Sequence, residues 1–198
     1  MSNQHKDTLS VRFAGDSGDG IQLLGHYFMH SQAAHGSDIH SVPDFPAEIR
    51  APSGSPAGVS AFQIAISEHD IFTSGDDADV LVALNPAALK VNLKQLGKKG
   101  VLIVNENSFS EKELKKAGFK TNPLFDGSLN DYQVIAIPAT ELTLAATKAC
   151  DISHSSAKQC KNMLMLGVVL WLFDRNITLS EQIIDKKFKA KHSIAKAN

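Results

Sequence analysis

Residues 12–22 read Arg12-Phe13-Ala14-Gly15-Asp16-Ser17-Gly18-Asp19-Gly20-Ile21-Gln22, a glycine-rich turn between an apolar strand and an amphipathic helix. Glycines in such a turn let the backbone approach a ligand closely and leave N–H groups unpaired at a helix N-terminus. That combination is a ready anion site, most often for phosphate. Upstream, residues 9–14 (LSVRFA) alternate as a first strand does. Downstream, Ile21, Leu24 and Phe28 fall near one face of a helix running to about residue 34. His35-Gly36 ends that helix, with Gly36 suited to a left-handed cap.

Working outward, the alternation of strands and helices continues. Residues 39–42 suggest a second strand before Pro43 and Pro46 break regularity, and 43–58 is a Pro/Gly/Ser/Ala-rich loop. Residues 59–66 (VSAFQIAI) alternate as another strand, and 79–84 (DVLVAL) is the continuous apolar run of a strand covered on both faces. Asn85-Pro86 then opens a helix, with Asn85 as N-cap and Pro86 in the first position. Residues 100–104 form the next buried strand, Ser110 starts a short helix with a capping-box pattern, and 133–137 is a further strand. Helices are predicted over 139–149, 156–173 and 180–188, the last capped by Ser180, before a Lys-rich tail at 189–198. The prediction is therefore an α/β fold: doubly wound, with a mostly parallel, Rossmann-like sheet. One domain covers 1–188, and 189–198 reads as the start of a linker or a disordered tail.

Composition narrows the function classes. A chain of 198 residues accommodates one α/β domain with a full core. A net charge of −1 lacks the electrostatic footprint of nucleic-acid binding. Two cysteines, Cys150 and Cys160, read as reduced packing residues and cannot supply the four thiolates of an iron–sulfur cluster. No Cys/His array suggests zinc. His26 and His30 stand four apart on a helix, but Tyr27 sits where a metalloprotease needs its acid; with His35 and His40 they read as a solvated surface rather than a metal site. The most apolar run, 163–173, is short of the roughly 20 residues that span a bilayer and reads as core or interface. The first eight residues are polar and carry no apolar signal region, so the expected location is cytoplasmic, without membrane.

Three phosphate motifs can be tested on the turn. The dinucleotide fingerprint matches only in part, because Ser17 stands at its second glycine. The Walker pattern fails because Ile21 replaces the lysine after Gly20. Gly18-Asp19-Gly20 looks like the start of a thiamine-diphosphate motif, but the next asparagine is Asn85, far beyond the required spacing. A Gly-x-x-Gly-x-Gly turn remains, which either only closes a tight β–α connection or holds a phosphate-bearing ligand. The candidate binding residues are Gly15, Asp16, Ser17, Gly18, Asp19, Gly20, Gln22 and Asn85, the last at the carboxyl end of a buried strand where ligands gather in open α/β sheets. Asp16 and Asp19 oppose an anion unless they point away from it. No catalytic and no metal residue is assigned.

Joined to the segments that follow, the turn resembles a known family. Residues 13–21 (FAGDSGDGI), 43–50 (PDFPAEIR) and 74–84 (SGDDADVLVAL) are similar to the gamma domain of 2-oxoacid:ferredoxin oxidoreductases. The similarity is greatest to the 2-oxoglutarate type, in which that domain is the N-terminal part of the alpha subunit. The resemblance runs from about Leu9 to Phe188, and its specific piece is Pro46-Ala47-Glu48-Ile49-Arg50. Members follow that arginine with paired glycines; this chain has Ala51-Pro52-Ser53-Gly54-Ser55. The family makes acyl-CoA, carbon dioxide and reduced ferredoxin from a 2-oxoacid and coenzyme A. The resemblance implies that this domain binds coenzyme A as a substrate, with its phosphates near the turn, and completes the assembly. It places Pro46, Glu48 and Arg50 at a domain interface or the active-site mouth. Thiamine diphosphate, Mg2+ and the iron–sulfur clusters are expected in partner alpha and beta domains or subunits, with ferredoxin reached indirectly. An autonomous nucleotide-binding protein and a purely structural domain are the alternatives.

Overall fold

The computed structural model describes residues 8–33, 37–44, 58–67, 69, 71 and 77–198. The expectations for Gly36, for the loop 45–57 and hence for Pro46, Glu48 and Arg50, fall outside the described residues. Six strands, β1 (Thr8–Asp16), β2 (Asp38–Asp44), β3 (Val59–Ser67), β4 (Ala78–Ala83), β5 (Leu96–Asn105) and β6 (Gln133–Ile137), form one sheet in the order β2-β3-β1-β4-β5-β6. The helices are α1 (Ile21–Ala33), α2 (Pro86–Asn92), α3 (Glu111–Lys116), α4 (Ala139–Ala146), α5 (His154–Gln159), α6 (Lys161–Leu172), α7 (Thr178–Lys187) and α8 (His192–Ala197).

Strand side chains alternate between two cores, so both faces of the sheet are covered. Val11, Phe13, Phe62, Ile64, Val80, Val82 and Ile103 meet α1, α6 and α7 on one face. Ala14, Ala61, Leu81, Ala83, Leu102 and Val104 meet α2 and α3 on the other. Gly25 lets α1 lie against β3, because a Cβ there would run into the ring of Phe62. β1, β4, β5 and β6 pair in parallel, whereas β3 is antiparallel to both β1 and β2. The sheet is thus mostly parallel and Rossmann-like, with one reversed strand. The chain winds outward from β1 over the α1 face and from β4 over the α2 face, so the winding reverses between β1 and β4.

One charge lies inside this frame. Arg12 is 5% exposed on the α2 face of β1. Its Nε donates to Asn92 Oδ1 at 2.7 Å, Nη1 to Gln63 Oε1 at 3.2 Å and Nη2 to Asp44 Oδ2 at 2.8 Å. Three acceptors on α2, β3 and β2 therefore converge on one guanidinium.

Several predicted boundaries change. β2 runs through Pro43 to Asp44, because an edge strand tolerates a residue with no N–H to donate. β5 starts at Leu96, earlier than expected, and Lys99 takes a φ of 61° within it. The helix expected over 139–149 is α4 followed by a short 3-10 turn at Thr147–Ala149. The helix expected over 156–173 is two: Ser153 caps α5 by accepting the Ser156 N–H, and the chain restarts at Lys161. Ser180 is no cap; it lies inside α7, 3% exposed. The segment read as a tail carries α8, which packs beside α7, with Ala195 against the core. By contrast, Asn85 Oδ1 accepts the Ala88 N–H at 2.8 Å and Pro86 opens α2, as the sequence predicts.

Candidate functional site

β1 ends at Asp16, and the turn passes the chain to α1 beside the carboxyl end of β4. This is the point where the winding reverses, and such crevices take ligands in doubly wound sheets. Gly20 has a φ of +71°, and a Cβ there would stand 2.5 Å from Asn162 Nδ2. Only glycine meets both conditions without strain. Gly18 has open space around it: a Cβ at that position would meet nothing within 4 Å.

The two acids of the turn are tied back in different ways. Asp16 Oδ1 accepts Asn85 Nδ2 at 2.9 Å across the β1–β4 crevice. Burial pushes the Asp16 carboxyl above its usual range, and the charge of Asp19 adds to this, against the Asn85 hydrogen bond and the charge of Lys116. Asp19 Oδ2 accepts the Asp16 N–H at 3.0 Å, and Oδ1 receives Lys161 Nζ at 2.6 Å. The Lys161 and Asp19 side chains are 17% and 15% exposed, so this pair is largely out of water. Of the two carboxylates that argued against an anionic ligand, Asp19 thus has its charge met by an ammonium, and Asp16 is bonded by Asn85 beside the β1–β4 crevice.

Backbone donors remain. The Ser17 N–H goes to Gly58 O at 3.3 Å and the Asp19 N–H to Asp16 O at 2.9 Å. Among the described residues no acceptor meets the N–H groups of Gly18, Gly20, Ile21, Gln22 and Leu23. These lie at the positive end of α1, a helix of 13 residues.

Of the residues singled out from sequence, the turn and Asn85 come together, but not all face outward. Gln22 Nε2 donates to Ser60 Oγ and Ala61 O, both at 3.0 Å, so its amide holds α1 to β3. Both ends of the Asn85 amide are engaged, by Asp16 and by Ala88. The hollow beside Asp16 and Asn85 is only about 20 Å³, room for one water. On the opposite side of the turn, a cleft of about 400 Å³ runs from Gly18, Asp19 and Gly20 to Asn162, Phe188 and Lys191. A larger hollow of about 750 Å³, under Phe109, Leu114 and Phe119, contains none of the turn. Sequence reasoning missed Lys161 and Asn162, because they sit inside what reads as one continuous helix. Their signal was a polar Lys-Asn pair immediately before the apolar run of α6, with Ser153 available as a cap upstream.

His26 and His30 lie on the exposed side of α1, His26 with its ring 5.5 Å from that of Phe62. Among the described residues no three His, Cys, Asp or Glu side chains form a metal-sized group. Cys160 is 4% exposed, and burial raises its thiol pKa. No described helix is long and apolar enough to cross a membrane.

Comparison with known proteins identifies the fold and the family. The 2-oxoglutarate oxidoreductase subunit KorA of Mycobacterium tuberculosis (strain ATCC 25618 / H37Rv) is 47% identical over 195 residues, 98% of this chain and 30% of KorA. The chain therefore spans about 30% of the length of that relative. The 2-oxoglutarate:ferredoxin oxidoreductase from Magnetococcus marinus, solved with 2-oxoglutarate, coenzyme A and succinyl-CoA bound, matches 97% of this chain and 29% of its own, with a TM-score of 0.74 at 23% identity. The gamma subunit of keto/oxoacid ferredoxin oxidoreductase from Geobacter sulfurreducens PCA matches over 96% of this chain and 93% of its own, with a TM-score of 0.63 at 18% identity. At these identities the two structures establish the fold. The family model described as pyruvate ferredoxin/flavodoxin oxidoreductase matches residues 10–198, and the chain belongs to that family.

Proposed function

We propose that this chain is the gamma domain of a cytoplasmic 2-oxoacid:ferredoxin oxidoreductase acting on 2-oxoglutarate, and that it binds coenzyme A at the glycine turn. The observation that carries this reading is the row of unpaired N–H groups at the start of α1, in a turn whose two acids are engaged elsewhere. Such a row suits a phosphate, and coenzyme A carries three. The 47% identity to a 2-oxoglutarate oxidoreductase subunit supports the choice of substrate and complex.

The domain works by positioning. The turn holds the phosphate end, and the pantetheine arm carries the thiol toward the acyl group generated by the partner domains, which replaces a diffusive encounter with a local one. Thiamine diphosphate with Mg2+ supplies the decarboxylation in those partners, and iron–sulfur clusters pass the electrons to ferredoxin. Among the described residues the ligands of neither group come together. The two cysteines fall short of a cluster's four thiolates, and Asn85 bonds Asp16 rather than standing beside Asp19 as a metal ligand. Asn85 and Gln22 are assigned to holding the turn, with Gly15 and Asp16. Ser17, Gly18 and Gly20 are assigned to the ligand. Pro46, Glu48 and Arg50 are assigned to the interface with the thiamine-binding domain or to the active-site mouth.

Calorimetric titration of the assembled enzyme with coenzyme A, NAD and ATP tests this. Coenzyme A alone should bind, and its presence should slow amide exchange over residues 18–23. NAD binding without coenzyme A binding would assign the turn to an autonomous nucleotide-binding protein. Failure of the chain to copurify with a thiamine-binding subunit would remove the assembly role.

A further inference from the structure

We propose, on the coenzyme A reading above, that the start of α6 completes the anion subsite: Asn162 lines the cleft, so that the phosphate end of the ligand lies between it and the glycine turn, and Lys161 acts from behind by neutralising Asp19. The cleft of about 400 Å³ on this side of the turn is large enough for a diphosphate and part of a pantetheine arm, whereas the crevice beside Asn85 is not.

Asn162 provides the observation independent of the helix terminus. It is 6% exposed, and its Oδ1 accepts the Met163 N–H at 2.7 Å. Its Nδ2 meets no acceptor among the described residues and points over Gly20 into the cleft. The residue is buried but its amide nitrogen opens to the cleft, where it is available to a ligand acceptor or to water. A phosphate oxygen above Gly20 would receive both this donor and the unpaired backbone N–H groups.

Lys161 decides the sign of the local field. With Lys161 Nζ on Oδ1 and the Asp16 N–H on Oδ2, the Asp19 carboxylate is cancelled where the donors open. Without that ammonium a bare carboxylate would face the ligand. Lys191, across the cleft on the approach to α8, adds a second cation. The ligand class that fits is a phosphate ester or anhydride, which accepts many hydrogen bonds and donates none.

The test compares coenzyme A with pantetheine, which presents the same thiol without phosphates, in the assembled enzyme. Lys161→Met should raise KM for coenzyme A about tenfold, the effect of one uncompensated charge at a partly buried site. Asn162→Leu should raise it by about fivefold, as expected for one lost hydrogen bond to a charged acceptor. Neither should shift KM for pantetheine or the oxoacid more than twofold. Asp19→Asn combined with Lys161→Met should return KM for coenzyme A to within threefold of wild type, since the charge needing cancellation is gone. If Lys161→Met does not fold, Asn162→Leu and the double variant decide alone. Equal impairment of the single and double variants would make Lys161 merely structural, and equal losses with pantetheine would remove the phosphate subsite. If coenzyme A protects residues 18–23 from exchange yet neither variant changes its KM, this inference fails while the proposed function stands. If that protection is missing, both fail.

Discussion

Arg12 and Lys161 are both mostly buried cations facing an aspartate, and the molecule uses them differently. The Arg12 side chain is 6% exposed beside an Asp44 that is 56% exposed; Lys161 and Asp19 are buried to nearly the same degree, at 17% and 15%. Arg12 spends its donors on Asn92, Gln63 and Asp44, which tie together the edge, the centre and one cover of the sheet. Lys161 has one bond, to a carboxylate beside a row of unpaired N–H groups. A guanidinium whose three nitrogens each bond a different element of the sheet and its cover serves the fold. A single ammonium–carboxylate contact, made on the Asp19 that lines the cleft, sets the charge a ligand meets.

The difference between the two cations is tested most severely at Arg12. Arg12→Met leaves two amide oxygens buried without donors and should cost about 3 kcal/mol or more, read as a lower urea midpoint at unchanged slope. A loss under about 1 kcal/mol would mean that water replaces the guanidinium and the network is not an anchor.

The next largest effect separates two glycines two residues apart. Gly20→Val combines a left-handed backbone with a collision against Asn162, at 2.5 Å from the new Cβ, and should cost about 2–3 kcal/mol. Gly18→Val enters open space and should stay within about 0.5 kcal/mol in the same thermal melts. Equal losses would show that the turn is stiff throughout and that Asn162 is not what constrains it.

Lys161→Met should lose about 1–2 kcal/mol, less than Arg12→Met, because only one contact disappears and Asp19 keeps its bond from the Asp16 N–H. A loss as large as that of the Arg12 variant would erase the distinction between the two cations.

The smallest effect concerns Asp16, whose carboxyl has an amide rather than an ammonium for a partner. Its folded pKa lies above the ordinary 3.8 because of burial, then the charge of Asp19. The folded state therefore holds extra proton between 3.8 and the raised value, and this carboxyl's stabilising contribution is present at low pH and lost as pH rises through that window. Asp16→Asn keeps an acceptor for Asn85 and never ionises. Its melting temperature relative to wild type should rise between about pH 3 and pH 7. A flat difference would mean that Asp16 is solvated like an ordinary surface carboxylate.

How much of this was legible depended on whether the decisive contact was local. Asn85 and Pro86 announce the start of α2 because a cap is made three residues away, and the 133–137 strand is read to the residue from its apolar run. Ser180 misleads because Ser at a helix start is a cap only if the helix begins there, and Thr178 and Leu179 already form its first turn. The break at Cys160 is invisible to periodicity, since both flanking segments are helical and a single residue, at ψ −8°, separates them. Asn162 at the cleft and Lys161 on Asp19 were therefore missed.

By itself the sequence determined the βα opening, the buried strands, the caps at Asn85 and Ser110, the glycine turn and the family to which they belong, all written in spacings of a few residues. Tertiary structure alone decided that β3 runs against its neighbours, that Arg12 is the charge within the sheet, and that Asp19 is neutralised by Lys161, 142 positions away. The physical reason is range. Caps and strand periodicity are settled by neighbours along the chain, whereas the charge at a ligand cleft depends on which distant helix end the packing brings against it.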